Sequence, residues 1–160
     1  MHDVPYGSFD IGPFHVTSEL VCHPGPTVGY RIEADGASIA YMPDHEPALV
    51  ASEVGGLRGD PDWTSGFGLA HGVDLLIHDA QYTPAEWGEK WHWGHCTVDY
   101  AVLVAKEAGA RRLALFHHDP AHGDDKLDTL LERARAKGDK AGLGEVISAS
   151  EGTTISFERP

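Results

Sequence analysis

The chain has 160 residues, the length of one domain, and its 41% hydrophobic and 23% charged residues are typical of a globular protein. The formal net charge of −13 argues against broad nonspecific binding of nucleic acid, which needs a basic surface. No apolar run reaches membrane-spanning length, and the N-terminus lacks the basic and apolar segments of a signal peptide. We therefore expect a cytoplasmic protein without a disulfide framework, in which Cys22 is a buried small hydrophobe.

The first quarter of the sequence predicts an antiparallel meander. The expected strands are residues 8–11, residues 14–22, Thr27–Ala34 and Ala37–Met42. Gly12-Pro13 supplies the first turn, and Asp35-Gly36 is a strong two-residue hairpin signal. Four apolar side chains of the second strand share one parity, so we expect that face to be buried: Phe14, Val16, Leu20 and Cys22.

The middle of the sequence is less regular. Residues 46–60 contain three glycines and predict a loop, with a helical turn near residues 48–53, and residues 61–71 predict a short helix. Residues 73–78 are nearly all apolar, which suits a strand covered on both faces. Residues 82–93 are aromatic-rich, and we expect an irregular segment that forms a lid or a substrate wall.

The last third predicts two helices alternating with short strands. Thr97 caps the first helix, which Gly109 ends, and residues 113–116 follow as a buried strand. The second helix begins after Gly123 with Asp124 as its cap and ends at Gly138. We expect Glu145–Ser148 and residues 153–157 to be closing strands. The whole pattern predicts one α/β domain over residues 1–160.

Histidine is the anomaly of the composition, with eleven in 160 residues. Four apolar segments end in His or Asp, at residues 19–23, 38–45, 74–79 and 113–119. Loops at one edge of an α/β sheet converge, so these side chains are candidates for a shared site. Zinc takes histidine nitrogen and carboxylate oxygen, and His23, Asp44 and His117 offer such ligands, with His95 nearby as a proton donor.

Several of these segments resemble motifs of the metallo-β-lactamase superfamily, in the branch of ribonuclease Z and cyclic-nucleotide phosphodiesterase-like hydrolases. Residues 23–33, HPGPTVGYRIE, resemble the motif in which a histidine ligand precedes a Gly-Tyr-Arg-Ile strand. Residues 41–47, YMPDHEP, resemble the motif whose aspartate bridges two metals, and residues 75–80, LLIHDA, the strand that follows. Residues 94–97, GHCT, resemble Gly-His-Ser-Thr, and residues 115–120, LFHHDP, resemble the last metal motif.

The resemblance implies the C-terminal half of an αβ/βα metallo-β-lactamase sandwich, a mixed sheet with helices on one outer face. It implies that His23, Asp44 and His117 hold two divalent ions, zinc or manganese, and that His95 assists phosphodiester cleavage. His78, Asp79 and His118 are expected to support these ligands from outside, with polar strand ends as the alternative for His78 and Asp79.

The family's His-x-His-x-Asp-His motif is absent from the 160 residues, and we expect it to lie upstream of Met1. Two protein ligands per zinc are too few for a catalytic site, so we expect weak or partial metal binding and impaired hydrolysis. The absent half of the fold would normally cover one face of the sheet, so we also expect an exposed apolar face that favours a homodimer. A non-catalytic remnant that acts as a binding or dimerising module remains an alternative, as does a lactone or thioester hydrolase.

The resemblance implies a phosphodiester substrate, and we expect a small one such as a cyclic nucleotide, because the acidic chain makes nucleic acid an improbable partner. Nothing in the sequence indicates a membrane partner. The Trp87, Trp91 and Trp93 side chains either stack on a base or phenyl ring or, as we favour, pack over the edge of the sheet. We assign no functional role to the remaining histidines outside these motifs: His2, His15, His71, His92 and His122.

Overall fold

The computed structural model describes residues 6–46 and 64–157, which form one seven-stranded sheet and four helices. The strands are β1 (Gly7–Ile11), β2 (Phe14–Val21), β3 (Thr27–Ala34), β4 (Ala37–Met42), β5 (Leu75–Asp79), β6 (Arg112–Phe116) and β7 (Glu145–Ser148). The helices are α1 (Phe67–Ala70), α2 (Pro84–Lys90), α3 (Val98–Glu107) and α4 (Asp124–Ala141). In the sheet, the strands lie side by side in chain order from β1 to β7.

The sheet is mixed because its two halves are connected differently. Strands β1 to β4 are antiparallel neighbours joined by short turns, and in the turn between β3 and β4 both Asp35 and Gly36 have positive φ angles, of 51° and 78°. This is the geometry that an Asp-Gly hairpin predicts. Strands β4 to β7 are parallel, so each connection must cross the sheet and bring the carboxyl ends of these strands to the same edge.

One face of the sheet packs against the helices and forms the hydrophobic core. The parallel strands contribute buried side chains in one register row, in which Ala40 pairs with Leu76, Leu76 with Leu113, and Leu113 with Val146. Helix α3 packs on β5 and β6, α4 packs on β7, and α1 packs on β2 to β4. Thr97 caps α3 by accepting a hydrogen bond from the backbone of Tyr100, as the sequence predicts.

In the described part of the chain, the opposite face carries no helix and is apolar and partly exposed. Ile11, Phe14 and Leu20 are 60%, 45% and 55% exposed on the antiparallel strands. Tyr41 and Phe116 lie on the same face farther along, in edge-to-face contact at 5.7 Å between ring centroids. The α/β architecture that the sequence predicts, a mixed sheet with helices on one outer face, is confirmed.

The burial of β2 differs from the prediction. Val16 is buried as predicted, whereas Phe14 and Leu20, of the same parity, are exposed on a face that no described helix covers, and Cys22 is exposed beyond the end of the strand. Val21, on the opposite parity, enters the core with the helices.

The bounds of several other elements in the structure also differ from those that the sequence predicts. Residues 82–93 contain the regular helix α2, which Thr83 and Glu86 begin with a reciprocal capping box. Helix α4 is capped by Gly123, not by Asp124, and continues past Gly138. Of the predicted helix at 61–71, the described part, residues 64–71, is helical only in α1, and the predicted strand at 153–157 is irregular. Residues 61–63 and the predicted helical turn near 48–53 lie outside the described residues.

Helix α4 passes Gly138 because this glycine has a packing role within the helix. A Cβ there would lie 2.8 Å from the Val146 side chain, so the missing side chain lets α4 approach β7 closely. The helix ends instead at Gly142, whose φ of 80° is the left-handed conformation common at helix C-termini. None of the described helices combines the length and apolar character needed to cross a lipid bilayer.

Candidate metal centre

Three candidate ligands meet at the carboxyl edge of the parallel strands. Asp44 follows β4, His117 follows β6, and His95 precedes α3. Their ligand atoms all lie within 4.8 Å of one another, and His117 Nε2 is 3.2 Å from Asp44 Oδ1. The rings of His95 and His117 are 4.7 Å apart between centroids. The topology therefore brings together residues separated by up to 73 positions in the sequence.

Asp79 fixes the orientation of His95. The Asp79 carboxylate, at the end of β5, is fully buried, and His95 Nδ1 donates to its Oδ2 at 2.7 Å. Burial lowers the pKa of His95, but the hydrogen bond and the charge of Asp79 outweigh this effect, so the pKa is raised. With Nδ1 bonded to Asp79, Nε2 is the ring nitrogen left for a ligand or for proton transfer.

Three backbone N–H groups hold Asp79 itself. Gln81 and Cys96 donate to Oδ1 at 3.1 and 3.2 Å, and His45 donates to Oδ2 at 3.3 Å. The carboxylate thus ties together the loops after β4 and β5 and the segment before α3. It accepts from four donors in all, which gives it both a positioning and a structural role.

His117 has an unusual backbone conformation. Its φ of 56° lies in the left-handed region, which is uncommon for residues other than glycine, although histidine, asparagine and aspartate adopt it more often than other side chains. Such strained residues cluster at functional sites, because the surrounding structure has to hold them in place. Here the strained turn directs the imidazole toward Asp44. No sequence pattern predicts it.

His23 lies at the margin of this cluster and is not one of the three grouped residues. Its ring centroid is 5.8 Å from that of His95, and its Nδ1 lies 3.2 Å from the carbonyl oxygen of Gly25. Gly94, whose φ is 93°, is packed directly against the ring. A Cβ at this position would lie 2.5 Å from His23 Nε2 and 2.7 Å from Pro24 Cδ. Because Gly94 has no side chain, the His23 ring can pack directly against its backbone.

The two other histidines expected to support the ligands lie apart from them. His78 is fully buried, with Nε2 3.0 Å from His45 Nδ1 and Nδ1 2.7 Å from the carbonyl oxygen of Asp79. Burial lowers the pKa of both His45 and His78 and raises that of Cys96, whose Sγ lies 3.7 Å from His78 Nδ1. These groups form a neutral buried cluster behind Asp79.

His118 faces away from the centre, toward the last strand. Its Nε2 lies 3.0 Å from the Ser148 hydroxyl at the end of β7. It therefore stabilises the turn that carries His117 and does not contact the three grouped residues.

Two charged contacts that were not expected from the sequence hold α2 against the loop after His117. Lys90 Nζ donates to Asp119 Oδ2 at 2.9 Å, and His122 Nε2 lies 2.9 Å from Glu86 Oε1. Burial alone would raise the pKa of Glu86, but hydrogen bonds from Thr83 and His122 lower it to about 2. The i, i+4 spacing of Glu86 and Lys90 is the signal that could have indicated one charged helix face.

Glu46 was also missed, although it follows Asp44 by two residues. Its backbone donates to Cys22 O at 2.8 Å, and its carboxylate accepts from the backbone of Gly94. Burial raises the pKa of Glu46, while the neighbouring histidines, His23 among them, oppose that rise. A carboxylate so close to a candidate ligand in sequence could have been singled out.

The donor set fits a first-row divalent cation. One carboxylate oxygen and two imidazole nitrogens within 4.8 Å are the ligand types that zinc and manganese take in hydrolases. Asp79 bonded behind His95 is the carboxylate–histidine arrangement that orients a ligand or a proton donor. These residues could hold an ion.

A family model described as the beta-lactamase superfamily domain matches residues 5–118, the part that contains every residue of this cluster. The chain belongs to this superfamily. Among curated relatives, the ribonuclease Z of Brevibacillus brevis is 32% identical over 97 residues, which cover 61% of this chain and 26% of the relative. The ribonuclease Z of Haloferax volcanii is 37% identical over 120 residues, covering 75% of this chain and 32% of the relative.

Solved structures of the superfamily have the same fold. The metallo-β-lactamase fold protein YhfI from Bacillus subtilis has a TM-score of 0.67 and 23% identity, over 91% of this chain and 51% of its own. The short form of human tRNase Z has a TM-score of 0.64 and 24% identity, over 96% and 48%. The chain thus spans about half of each structure and a third or less of these curated relatives. The predicted membership of the ribonuclease Z-like branch is confirmed.

The expectation of a small substrate, with nucleic acid an improbable partner, is wrong. The relatives are named ribonuclease Z and tRNase Z, names that denote action on RNA. The reasoning failed because net charge reports on the whole surface, whereas a divalent ion reverses the field locally at a site. An acidic net charge therefore does not exclude a phosphodiester at a site that binds a divalent ion.

Proposed function

We propose that this domain takes part in the metal-dependent hydrolysis of phosphodiester bonds in RNA. The observation that carries the proposal is the meeting of Asp44, His95 and His117 within 4.8 Å at one edge of the sheet. The names of the relatives, ribonuclease Z, support RNA as the substrate. Asp44 and His117 are the proposed ligands, with His23 as a further ligand through Nε2 and Asp44 shared between two ions.

A bound divalent ion supplies Lewis acidity, which polarises a phosphoryl oxygen and offsets the charge that develops on it. The protein's own contribution is to hold and move a proton. His95 is suited to protonate the departing oxygen through Nε2, because its Nδ1–H is bonded to the Asp79 carboxylate. The hydrogen bond and charge of Asp79 raise the pKa of His95 despite its burial, which favours the protonated form that an acid needs.

The proposal is tested first by cobalt(II) titration of the 160-residue chain, since cobalt replaces zinc and its visible absorption reports on its ligands. We expect saturable binding that zinc reverses. Asp44→Asn and His117→Ala should weaken it by more than tenfold, because each removes one direct ligand. His118→Ala is the matched control, since His118 is the neighbouring histidine but contacts Ser148.

Hydrolysis of a short single-stranded RNA in zinc or manganese gives the second readout. His95→Ala should reduce the rate by about 10²- to 10⁴-fold, the usual contribution of a positioned acid, with a smaller effect on cobalt affinity. Cobalt binding that is insensitive to Asp44→Asn and His117→Ala would refute the metal centre. Tight metal binding without any RNA cleavage would instead favour a binding module of the same fold.

A further inference from the structure

We propose that Trp93 is a stacking platform for an unpaired base of the RNA, placed beside the metal centre. The inference rests on the proposed function and adds a recognition residue to it. Trp93 is 56% exposed, yet it precedes His95 by only two residues. An accessible indole beside the candidate metal centre can offer the face of its ring to a base of the substrate.

The backbone around Trp93 is held in place. Its N–H donates to Lys90 O at 3.0 Å, which ties it to the end of α2. The Trp87 indole donates to His95 O at 3.3 Å, which ties the far end of the same segment to α2. Between them Gly94 is buried against His23. The segment from α2 to His95 is therefore anchored at both ends, so the exposed indole stays near the reactive groups.

A fixed cation supports the Trp93 side chain. Lys90 Nζ lies 5.7 Å from the Trp93 ring centroid and 4.7 Å from that of Tyr82. The same ammonium is bonded to Asp119, in the loop after His117. The Tyr82 ring in turn lies 6.0 Å from that of His95. A column of three side chains, Trp93, Lys90 and Tyr82, therefore extends from the exposed indole to His95 at the candidate metal centre.

Charge favours stacking over phosphate binding as the source of affinity at this edge. The chain has a formal net charge of −13, and Lys90, the cation of the column, already neutralises Asp119. Base stacking needs no cation and tolerates any sequence, because every base has a π face. We therefore expect the metal ion to engage the phosphate and Trp93 to engage a base.

The test is fluorescence anisotropy of a labelled single-stranded oligoadenylate RNA, titrated with the protein in zinc over a salt series. Trp93→Ala should weaken binding by about 5- to 150-fold, the range measured for loss of one stacked base, and Trp93→Phe should restore most of it. The salt dependence should not change, because no phosphate contact is lost. The exposed position makes misfolding of the variant improbable, and its thermal midpoint is measured alongside.

Trp91→Ala is the matched control. Trp91 is 42% exposed and lies two residues from Trp93, but it packs edge-on against His92 and is not part of the column. Its loss should leave affinity unchanged. Equal weakening by both variants, or an unchanged affinity in Trp93→Ala while the wild type binds RNA, would overturn the stacking role and leave the proposed function standing. Failure of the wild type to bind RNA with zinc would overturn both.

Discussion

Asp79→Asn is the substitution whose outcome follows most directly from the structure. The buried carboxylate accepts hydrogen bonds from the backbones of His45, Gln81 and Cys96 and from His95 Nδ1. All four partners are donors, and an asparagine amide can accept at only one of its two terminal atoms. Whichever way the new amide is turned, at least one buried backbone N–H faces another donor.

The size of the effect follows from that count. An unsatisfied buried N–H costs about 1–3 kcal/mol, and losing the charged bond to His95 costs about 1.5–3 kcal/mol. Removing a buried negative charge relieves part of its desolvation, which offsets some of the loss. We expect Asp79→Asn to lower the free energy of unfolding by about 2–4 kcal/mol. Hydrolysis of RNA should slow by about 10- to 100-fold, because the orientation of His95, the proposed proton donor, is no longer fixed.

Urea unfolding followed by circular dichroism measures the first effect, with Asp74→Asn as the control. Asp74 precedes β5 and accepts from Ser38 through Oδ2 only, while its Oδ1 pairs with the exposed Arg111. The amide can keep the Ser38 bonds, so this variant should lose less than about 1 kcal/mol. Equal losses in the two variants would refute the assignment of Asp79 as the four-donor anchor.

The remaining predictions concern the neighbouring contacts. Gly94→Ala should lower the free energy of unfolding by about 1–3 kcal/mol and shift the His23 ring resonances in NMR spectra, because a Cβ collides with His23 at a positive φ; an unchanged His23 spectrum would contradict this. His117→Asn should weaken cobalt binding at least tenfold while urea stability stays within about 0.5 kcal/mol of wild type, since asparagine tolerates the left-handed backbone; a large loss of stability would contradict it. The pKa of Glu86, about 2 when folded against an ordinary 4.5, means that the hydrogen bonds from Thr83 and His122 to its carboxylate contribute stability that is present above pH 4.5 and lost as pH falls toward 2. Acid titration monitored by fluorescence should therefore cost the wild type about 1 kcal/mol more than Glu86→Gln, the value being reduced for solvent exposure; parallel titration curves would exclude these bonds as the cause.

Local sequence signals predicted those parts of the fold that depend on local chemistry. The Asp35-Gly36 hairpin, the Thr97 cap and the short apolar strand ending at Phe116 each require only the residue types present in a few positions. The topology then brought Asp44 and His117 to one edge, as the parallel strands require. These features were predictable because periodicity and turn chemistry determine them.

The rest depends on contacts that no local pattern encodes. Phe14 and Leu20 have the alternation of a buried face, but burial depends on what covers the sheet, not on the strand itself. The left-handed backbone of His117 and the contact between Gly94 and His23 arise from tertiary packing. Helix α2 was missed because its side chains are held by charged pairs with the loop after β6 instead of by an apolar stripe.

An anomalous-difference map at the zinc edge, from crystals of this chain grown with zinc, locates the ion itself. We expect a peak about 2.0–2.2 Å from a carboxylate oxygen of Asp44 and from an imidazole nitrogen of His117, the usual zinc–ligand distances. A map without a peak at this position, or with its zinc instead among His45, His78 and Cys96, would contradict the central claim.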